Sequence, residues 1–312
     1  MPNTANEGFR TIYRPPYSVD ASASAKMLNK YYDAKKDGEI VDVVTLTEPY
    51  NVIGGHAFDF CHIKELTIPD TVIRLGRFAF ADCKTLKKVT LGKGIEKCGE
   101  DLIFRSGVQE IVWTKPIGED VDEALSSLLY GLIREESTIF YRTGKNQLVK
   151  GKIFLKTGEA QKTFLLAYNG RSVRLPKYIN NYINMFVIQD MVHAALASDT
   201  KEISRSLSYR LILGTMQDFQ NKTSVALELY ILEGSSDAKK YLQNNAAKIA
   251  IALAEGGDDI ALSKFVSLGL MDAEALLQTL PIAQEKGLQT SIAYLLEEMQ
   301  KYGLKLPDAL KI

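Results

Sequence analysis

The sequence predicts an α+β multidomain protein, in which a short repeat solenoid with a β-meander is followed by an all-α helical-repeat domain. Three observations lead to this fold class. A pattern that recurs every 22 or 23 residues fills residues 40–113, short alternating strand patterns fill residues 137–176, and helix-forming patterns replace them from Tyr178 onward. We expect an N-terminal segment with a capping helix, the solenoid, a helix plus β-meander that closes the solenoid, and a helical domain, at residues 1–39, 40–113, 114–176 and 177–312.

The capping helix is predicted between Asp20 and Lys35. Four apolar or aromatic residues in this segment are spaced as on one face of a helix: Met27, Leu28, Tyr31 and Tyr32. Gly38 then ends the pattern. Such a helix would cover the first core layer of the solenoid, because the terminal coil of a repeat array needs a cap.

The repeat is visible as residue types that return at a fixed step. The step is 22 positions from Ala57 to Ala79 and from Cys61 to Cys83, and it is 23 positions from Leu66 to Val89 and from Gly76 to Gly99. Short alternating segments predict one strand per coil, and a fourth such segment ends at Trp113. One coil cannot bury its apolar face alone, so the coils must stack. We therefore predict about three coils.

Each position whose residue type recurs from coil to coil has an expected structural role. Gly54, Gly76 and Gly99 would permit a bend that a side chain resists. The Ala-Phe pairs that begin at Ala57 and Ala79 would place a small residue and a ring on the inner face of the return arm. The two cysteines, and a serine in the third coil, would stack between coils where the chain re-enters the next strand.

These residues resemble the BspA-type leucine-rich repeat. The Ile-Gly, Ala-Phe, Cys and Leu-x-Ile-Pro-Asp-x-Val elements run from Ile53 to Gly76 and again from Leu75 to Val89, so the resemblance covers roughly residues 40–113. It implies a leucine-rich-repeat solenoid. It also implies a binding protein of the extracellular space or cell surface, often of bacteria. The third coil departs from the pattern, with Ile103-Phe104 in place of Ala-Phe.

The remaining chain is read from its periodicity. An acidic start and apolar residues from Leu125 to Ile133 predict a helix, and the Asn169-Gly170 turn belongs to a meander whose four strands begin near residues 138, 152, 163 and 172. The C-terminal region predicts three antiparallel helix pairs that turn near residues 221–223, 256–258 and 286–287. Its segment from Ala283 to Glu297 weakly resembles an ankyrin helix pair.

Composition and motifs argue against several functions. Lys plus Arg equals Asp plus Glu, at 38 each, which removes a global electrostatic argument for nucleic acid binding. Three cysteines indicate reduced thiols, and His56, Cys61 and His62 lack the ligand number and spacing of a zinc site. His193 fits a helix boundary better than a catalytic base. The lysines that begin at Lys84 form a local basic cluster, which we interpret as a solvated face: Lys84, Lys87, Lys88, Lys93 and Lys97.

The sequence therefore predicts a non-catalytic module or scaffold for protein-protein interaction. We expect no cofactor, no metal, no nucleic acid and no membrane insertion, whereas a protein partner is expected and a glycan is an open alternative. The candidate partner-binding residues are the outward positions of the strands: Thr45, Glu65, Thr67, Lys88 and Thr90. The chain as written has no signal peptide, which predicts a cytoplasmic location. A cell-surface adhesin or glycan binder is the alternative if an export signal has been removed.

Overall fold

The computed structural model describes residues 11–13, 26–47, 50–118, 123–135, 162–179, 185–197, 209 and 212–304. The chain forms two compact units. The first contains residues 1–144 and 163–208, and the second contains residues 145–162 and 209–312.

The first unit contains the strands and two of the helices. The strands are β1 (Thr11–Tyr13), β2 (Met27–Leu28), β3 (Lys35–Lys36), β4 (Glu39–Ile40), β5 (Val43–Leu46), β6 (Val52–Ile53), β7 (Glu65–Thr67), β8 (Arg74–Leu75), β9 (Lys88–Leu91), β10 (Lys97–Cys98), β11 (Glu110–Trp113), β12 (Arg134–Glu135), β13 (Thr163–Tyr168), β14 (Arg171–Pro176) and β15 (Tyr178–Ile179). The helices are α1 (Glu123–Leu132) and α2 (Met185–Ala197).

Two parallel sheets run along a solenoid of about four turns over residues 27–113. The larger sheet has the order β1-β5-β7-β9-β11-β13-β14, and the smaller sheet has the order β10-β8-β6-β2. Leu66 pairs with Val44 on one side and with Val89 on the other, so the step of 22 or 23 residues is the stacking register of the coils. The leucine-rich-repeat solenoid expected from the sequence is therefore confirmed.

The core lies between the two sheets and the return arms that connect them. The inward residues of the strands are fully buried, as are the rings of Phe58 and Phe80. These two rings contact each other across adjacent coils in a tilted arrangement, with a centroid distance of 5.7 Å. The small Ala57 and Ala79 precede them and are also buried, which confirms the inner-face role predicted for the Ala-Phe pairs.

The predicted capping helix is wrong for residues 26–35, while residues 20–25 lie outside the described residues. Met27 and Leu28 form a strand that pairs in parallel with β6. Tyr31 stacks on Phe58, and its backbone N–H donates to the carbonyl oxygen of Ala57. This segment is therefore a further coil, which is why the fold has about four turns and not three. Only Leu28 and Tyr31 point inward, and two inward residues fit a strand and a turn as well as they fit a helix.

The repeated glycines serve close coil contacts, and the predicted bend is not their reason. None of Gly54, Gly76 and Gly99 has a positive φ. A Cβ atom on Gly76 would lie 2.3 Å from the backbone nitrogen of Gly55, and one on Gly99 would lie 2.4 Å from that of Arg77. The absence of a side chain thus allows the backbones of successive coils to touch.

The return arms use the left-handed backbone region at two positions in each of three coils. One series is His56, Phe78 and Asp101, and the other is Phe60, Asp82 and Arg105. Each series repeats at the solenoid step, and backbone hydrogen bonds between coils hold the arms, such as Phe58 N–H to the oxygen of Ala79 at 2.9 Å. Residues other than Gly, Asn and Asp rarely adopt this conformation, so residue type does not predict it at Phe60, Phe78 or Arg105.

Helix α1 packs on the last coil. It follows β11 and lies against β10, and the N–H of Leu102 donates to the oxygen of Gly131 at 2.8 Å. The buried residues of this helix include Leu125, Leu128 and Leu132, which confirms the apolar row predicted there.

A hairpin extends the larger sheet beyond the repeats. Strand β13 pairs in parallel with β11, and β14 then returns antiparallel to β13 around Asn169 and Gly170, which both have positive φ. This confirms the Asn-Gly turn and two strands of the predicted meander. The two earlier predicted strands, near residues 138–141 and 152–155, lie outside the described residues. Helix α2 packs on β14.

The second unit is helical. Its helices are α3 (Phe219–Glu233), α4 (Ser236–Asn244), α5 (Ala246–Glu255), α6 (Asp259–Ser267), α7 (Ala273–Glu285) and α8 (Gln289–Lys301). Helix α5 packs against α7 and α6 against α8, so two helix hairpins stack. The turns predicted near residues 256–258 and 286–287 are confirmed. The turn predicted near residues 221–223 is wrong, because these residues lie in α3, whose start is set by the Asp218 side chain accepting from the N–H of Asn221.

Candidate functional site

The outward face of the larger sheet carries all five residues that the sequence singles out. Strand alternation sends one set of side chains into the core and the other to the surface. Leu66 and Val89 are buried, whereas their neighbours Thr67 and Lys88 are partly exposed. Because parallel strands lie about 4.8 Å apart, residues in register form straight rows across the coils.

The first row consists of threonines. Thr67 is in register with Thr45 of β5 and with Thr90 of β9. The row continues into Val112 of β11 and Ala167 of β13. Three successive coils therefore present the same hydroxyl and methyl groups at one strand spacing, followed by two apolar side chains.

The second row is charged and lies two residues away along each strand. Glu65 is in register with Lys88, and Lys88 is in register with Glu110. The amine of Lys88 lies 3.1 Å from the carboxylate of Glu110. Glu65 is exposed, and its carboxylate forms no ion pair within the described part of the chain. The row thus alternates in charge and leaves one carboxylate available to a cation.

The two cysteines of the repeat lie in the interior between coils. The thiol of Cys61 donates to the sulfur of Cys83 at 2.9 Å, and the thiol of Cys83 donates to the carbonyl oxygen of Phe58 at 2.7 Å. The hydrogen bond to Cys83 and burial together raise the pKa of Cys61 far above its ordinary value. Ser106 occupies the same position in the next coil and donates to the oxygen of Cys83. Both thiols lack the exposure that a nucleophile needs, and the pKa of Cys61 is raised where a nucleophile needs a lowered one.

The histidines are held by neighbouring carboxylates. Nδ1 of His62 lies 2.8 Å from the Asp33 carboxylate, and Nδ1 of His56 lies 3.4 Å from that of Asp59. Cys61 is buried, and its thiol contacts Cys83. Over the described residues, no three His, Cys, Asp or Glu side chains are grouped so that they could hold a metal ion. His193 lies in α2, where its Nε2 is 2.7 Å from the oxygen of Gly118.

The lysine cluster does not form a single face. Lys84 and Lys88 lie near the start of β9, and each has a carboxylate partner, Asp82 and Glu110. Lys97 belongs to the smaller sheet, and Lys93 lies in the turn that follows β9. The ion pairs and the wide separation of these side chains fit the interpretation that the lysines are ordinary solvent-exposed residues.

A buried ion pair near the last coil was not found from the sequence. The guanidinium of Arg134 lies 3.3 Å from the Asp101 carboxylate, and both side chains are less than one tenth exposed. The same guanidinium covers the ring of Phe104 at 4.5 Å. Burial raises the pKa of the neighbouring Tyr178. This ion pair joins β12 to the return arm that contains Asp101. Asp101 and Arg134 are too far apart in the chain for a sequence motif to indicate their contact.

Residues 42–127 match the protein family described as the BspA type leucine rich repeat region, in 6 copies. This stretch is therefore a BspA-type leucine-rich-repeat region, and it makes up just over a quarter of the chain. No curated protein matches the chain. No solved structure matches it either. Leucine-rich-repeat solenoids are typically non-catalytic and generally serve protein interaction or scaffolding. Of the helices that the described ranges contain, none has the length and apolar character needed to cross a bilayer.

Proposed function

We propose that this protein is a non-catalytic interaction module that holds an extended segment of a partner protein on the outward face of its larger sheet. The observation that supports it most is the register of Thr45, Thr67 and Thr90 across three adjacent strands. A row of identical groups at a constant spacing favours a partner that also repeats its groups at a regular interval, as an extended peptide does.

The second row gives this surface a charge preference. Lys88 is engaged by Glu110, whereas Glu65 stands exposed at the other side of Lys88. A Lys or Arg of the partner that approaches Glu65 would complete the alternation. Electrostatic complementarity of this kind sets orientation and association rate more than affinity.

The proposal is tested by placing a photo-cross-linking residue at Thr67 and, as a matched control, at Lys97 on the outward face of the smaller sheet. We expect a protein cross-link at position 67 and none at position 97. The partner identified in this way is then titrated with Thr67→Arg and with Lys97→Glu. A bulky cation in the centre of the threonine row should weaken binding at least about tenfold, which is about 1.4 kcal/mol, and Lys97→Glu should not.

Two results would oppose the proposal. Equal cross-linking at both positions, or an unchanged affinity of Thr67→Arg, would remove the sheet face as the binding surface. Binding of a defined glycan that Thr67→Arg abolishes, with no protein cross-link, would instead favour the glycan-binding alternative.

A further inference from the structure

A second surface of the first unit lies on the return arms, around an exposed aromatic residue. We call it the corner surface and define it by Tyr32, Phe60, His62, Lys84 and Arg105. The residues Tyr32 and Phe60 are each 65% exposed, which places them among the most exposed large apolar side chains of the chain. Phe60 lies on the return arm that leads into β7, and Tyr32 directly follows Tyr31, whose ring stacks on Phe58 of the same arm.

Phe60 contributes little to the fold at this position. Its φ is 62°, in the left-handed region, where the Cβ atom of an ordinary residue comes too close to the backbone. The equivalent residues of the next two coils are Asp82 and Arg105, and these two pair with each other at 3.1 Å. The Phe60 side chain, in contrast, is neither buried nor part of an ion pair. An aromatic ring that is both conformationally costly and exposed is suited to a contact outside the unit.

The nitrogen-bearing side chains of the corner surface are more exposed than the carboxylates that they contact. His62, Lys84 and Arg105 have side chains that are 62%, 63% and 62% exposed. The carboxylates that face them are much less accessible, since Asp33 is 19% exposed and Asp82 is 13% exposed. The surface therefore offers N–H donors and positive charge to a partner, and its own carboxylates lie beneath them.

We propose that the corner surface binds an acidic segment of a partner protein that packs one apolar side chain against Phe60 and Tyr32. Carboxylates of the segment would bridge to Lys84 and Arg105, and an apolar anchor between them would cover the exposed rings. This surface goes beyond the proposed function, because it uses the return arms and leaves the outward face of the larger sheet free.

The experiment screens a displayed library of random twelve-residue peptides against the full chain, against Phe60→Asn and against Ile73→Asn. Asn adopts the left-handed region readily, so Phe60→Asn should retain the thermal transition of the wild type. Ile73 is an exposed apolar residue outside the corner surface and serves as the control. We expect wild type and Ile73→Asn to enrich peptides in which Asp or Glu flank one large apolar residue, and Phe60→Asn to enrich none of them.

A synthetic peptide of the enriched sequence then separates the contributions. The peptide should bind Phe60→Asn at least about tenfold more weakly than it binds the wild type. A peptide whose acidic residues are replaced by Lys should lose a similar factor in affinity, and added salt should weaken the binding of the original peptide. It should bind Thr67→Arg as it binds the wild type, so failure of the proposed function and failure of this inference give different results.

Three outcomes would overturn the inference. One is a library that yields no acidic and apolar consensus, and another is equal binding of the peptide to Phe60→Asn. The third is wild-type self-association in sedimentation that Phe60→Asn abolishes, because the occupant of the surface would then be a second copy of the chain.

Discussion

The sulfur atoms of Cys61 and Cys83 lie 2.9 Å apart in consecutive coils, with the carbonyl oxygen of Phe58 as the next acceptor. Both thiols are buried in the interior of the repeat. The contact links two residue types that the sequence repeats, Cys and Phe, and it explains why a small polarisable side chain occupies the cysteine position.

The first prediction concerns the reactivity of these thiols. The hydrogen bond to Cys83 and burial together raise the pKa of Cys61, and burial raises the pKa of Cys98 to about 12. Because the thiolate is the reactive form, a thiol-specific colorimetric reagent at pH 8 should label the native protein very slowly. All three cysteines should react at once after denaturation. Rapid labelling of Cys61 or Cys83 in the native state would contradict their place in the core.

The second prediction concerns the contact between coils at Gly76. Gly76→Ala introduces a Cβ atom 2.3 Å from the backbone nitrogen of Gly55, and backbone cannot move aside as a flexible side chain can. We expect a loss of about 1–3 kcal/mol in the free energy of unfolding, or more. Urea denaturation followed by the fluorescence of Trp113, the only tryptophan, measures it. Gly118→Ala is the control, since nothing lies within 4 Å of its added Cβ, and it should leave the midpoint unchanged.

These cases show where sequence reasoning succeeds and where it fails. The step from Leu66 to Val89 is a stacking register, so one-dimensional periodicity contains the fold of the repeat directly. The first coil was missed because Leu28 and Tyr31 fill the core positions without the surrounding motif. The outward orientation of the Thr67 side chain, in contrast, can be predicted from strand alternation alone.

The corner surface could not be predicted in the same way. Its exposed Phe60 would be assigned to a core from its residue type, and a left-handed backbone does not predict the exposure either, because Phe78 shares that conformation and is buried. The pairing of His62 with Asp33 spans 29 positions and depends on coil stacking. Contacts of this kind arise from three-dimensional packing and leave no local pattern.

The third prediction concerns the acid stability of the helical unit. Asp259 accepts hydrogen bonds from the N–H groups of Thr290 and Ser291 and from the Ser291 hydroxyl, which ties the start of α6 to the start of α8. Burial acts to raise the pKa of Asp259, but these hydrogen bonds outweigh it and lower the pKa below its ordinary value. The unfolded chain then binds the proton more tightly, so this contribution is fully present above the ordinary pKa of about 3.9 and is lost as pH falls below it.

Ser291→Ala should therefore lower the thermal midpoint of the helical circular dichroism signal at pH 7 by more than at pH 3. Ser267→Ala, which removes a hydroxyl bonded only within its own helix, is the control and should show no such difference. An equal loss for Ser291→Ala at both pH values would mean that the Asp259 charge does not contribute.

The fourth prediction separates the two units. Trp113 is buried in the first unit, whereas α3 to α8 lie in the second, so fluorescence reports the first unit and most of the helical circular dichroism signal reports the second. Ser291→Ala should shift the circular dichroism transition and leave the Trp113 fluorescence transition in place. Gly76→Ala should shift the Trp113 fluorescence transition and leave the circular dichroism transition in place. Identical shifts of both signals for either variant would indicate that the units unfold as one.

The hairpin of β13 and β14 decides where this array can grow. In the larger sheet, neighbouring strands from β1 to β13 pair in parallel, and β14 reverses the direction. A new coil added after β11 would have to displace β13 from its partner. Lengthening during evolution, or in the laboratory, is therefore easiest in the middle of the array, by duplicating a whole block of 22 or 23 residues between β7 and β9. Each such block would lengthen the threonine row by one strand, so the reach of the binding face would increase in steps and not continuously.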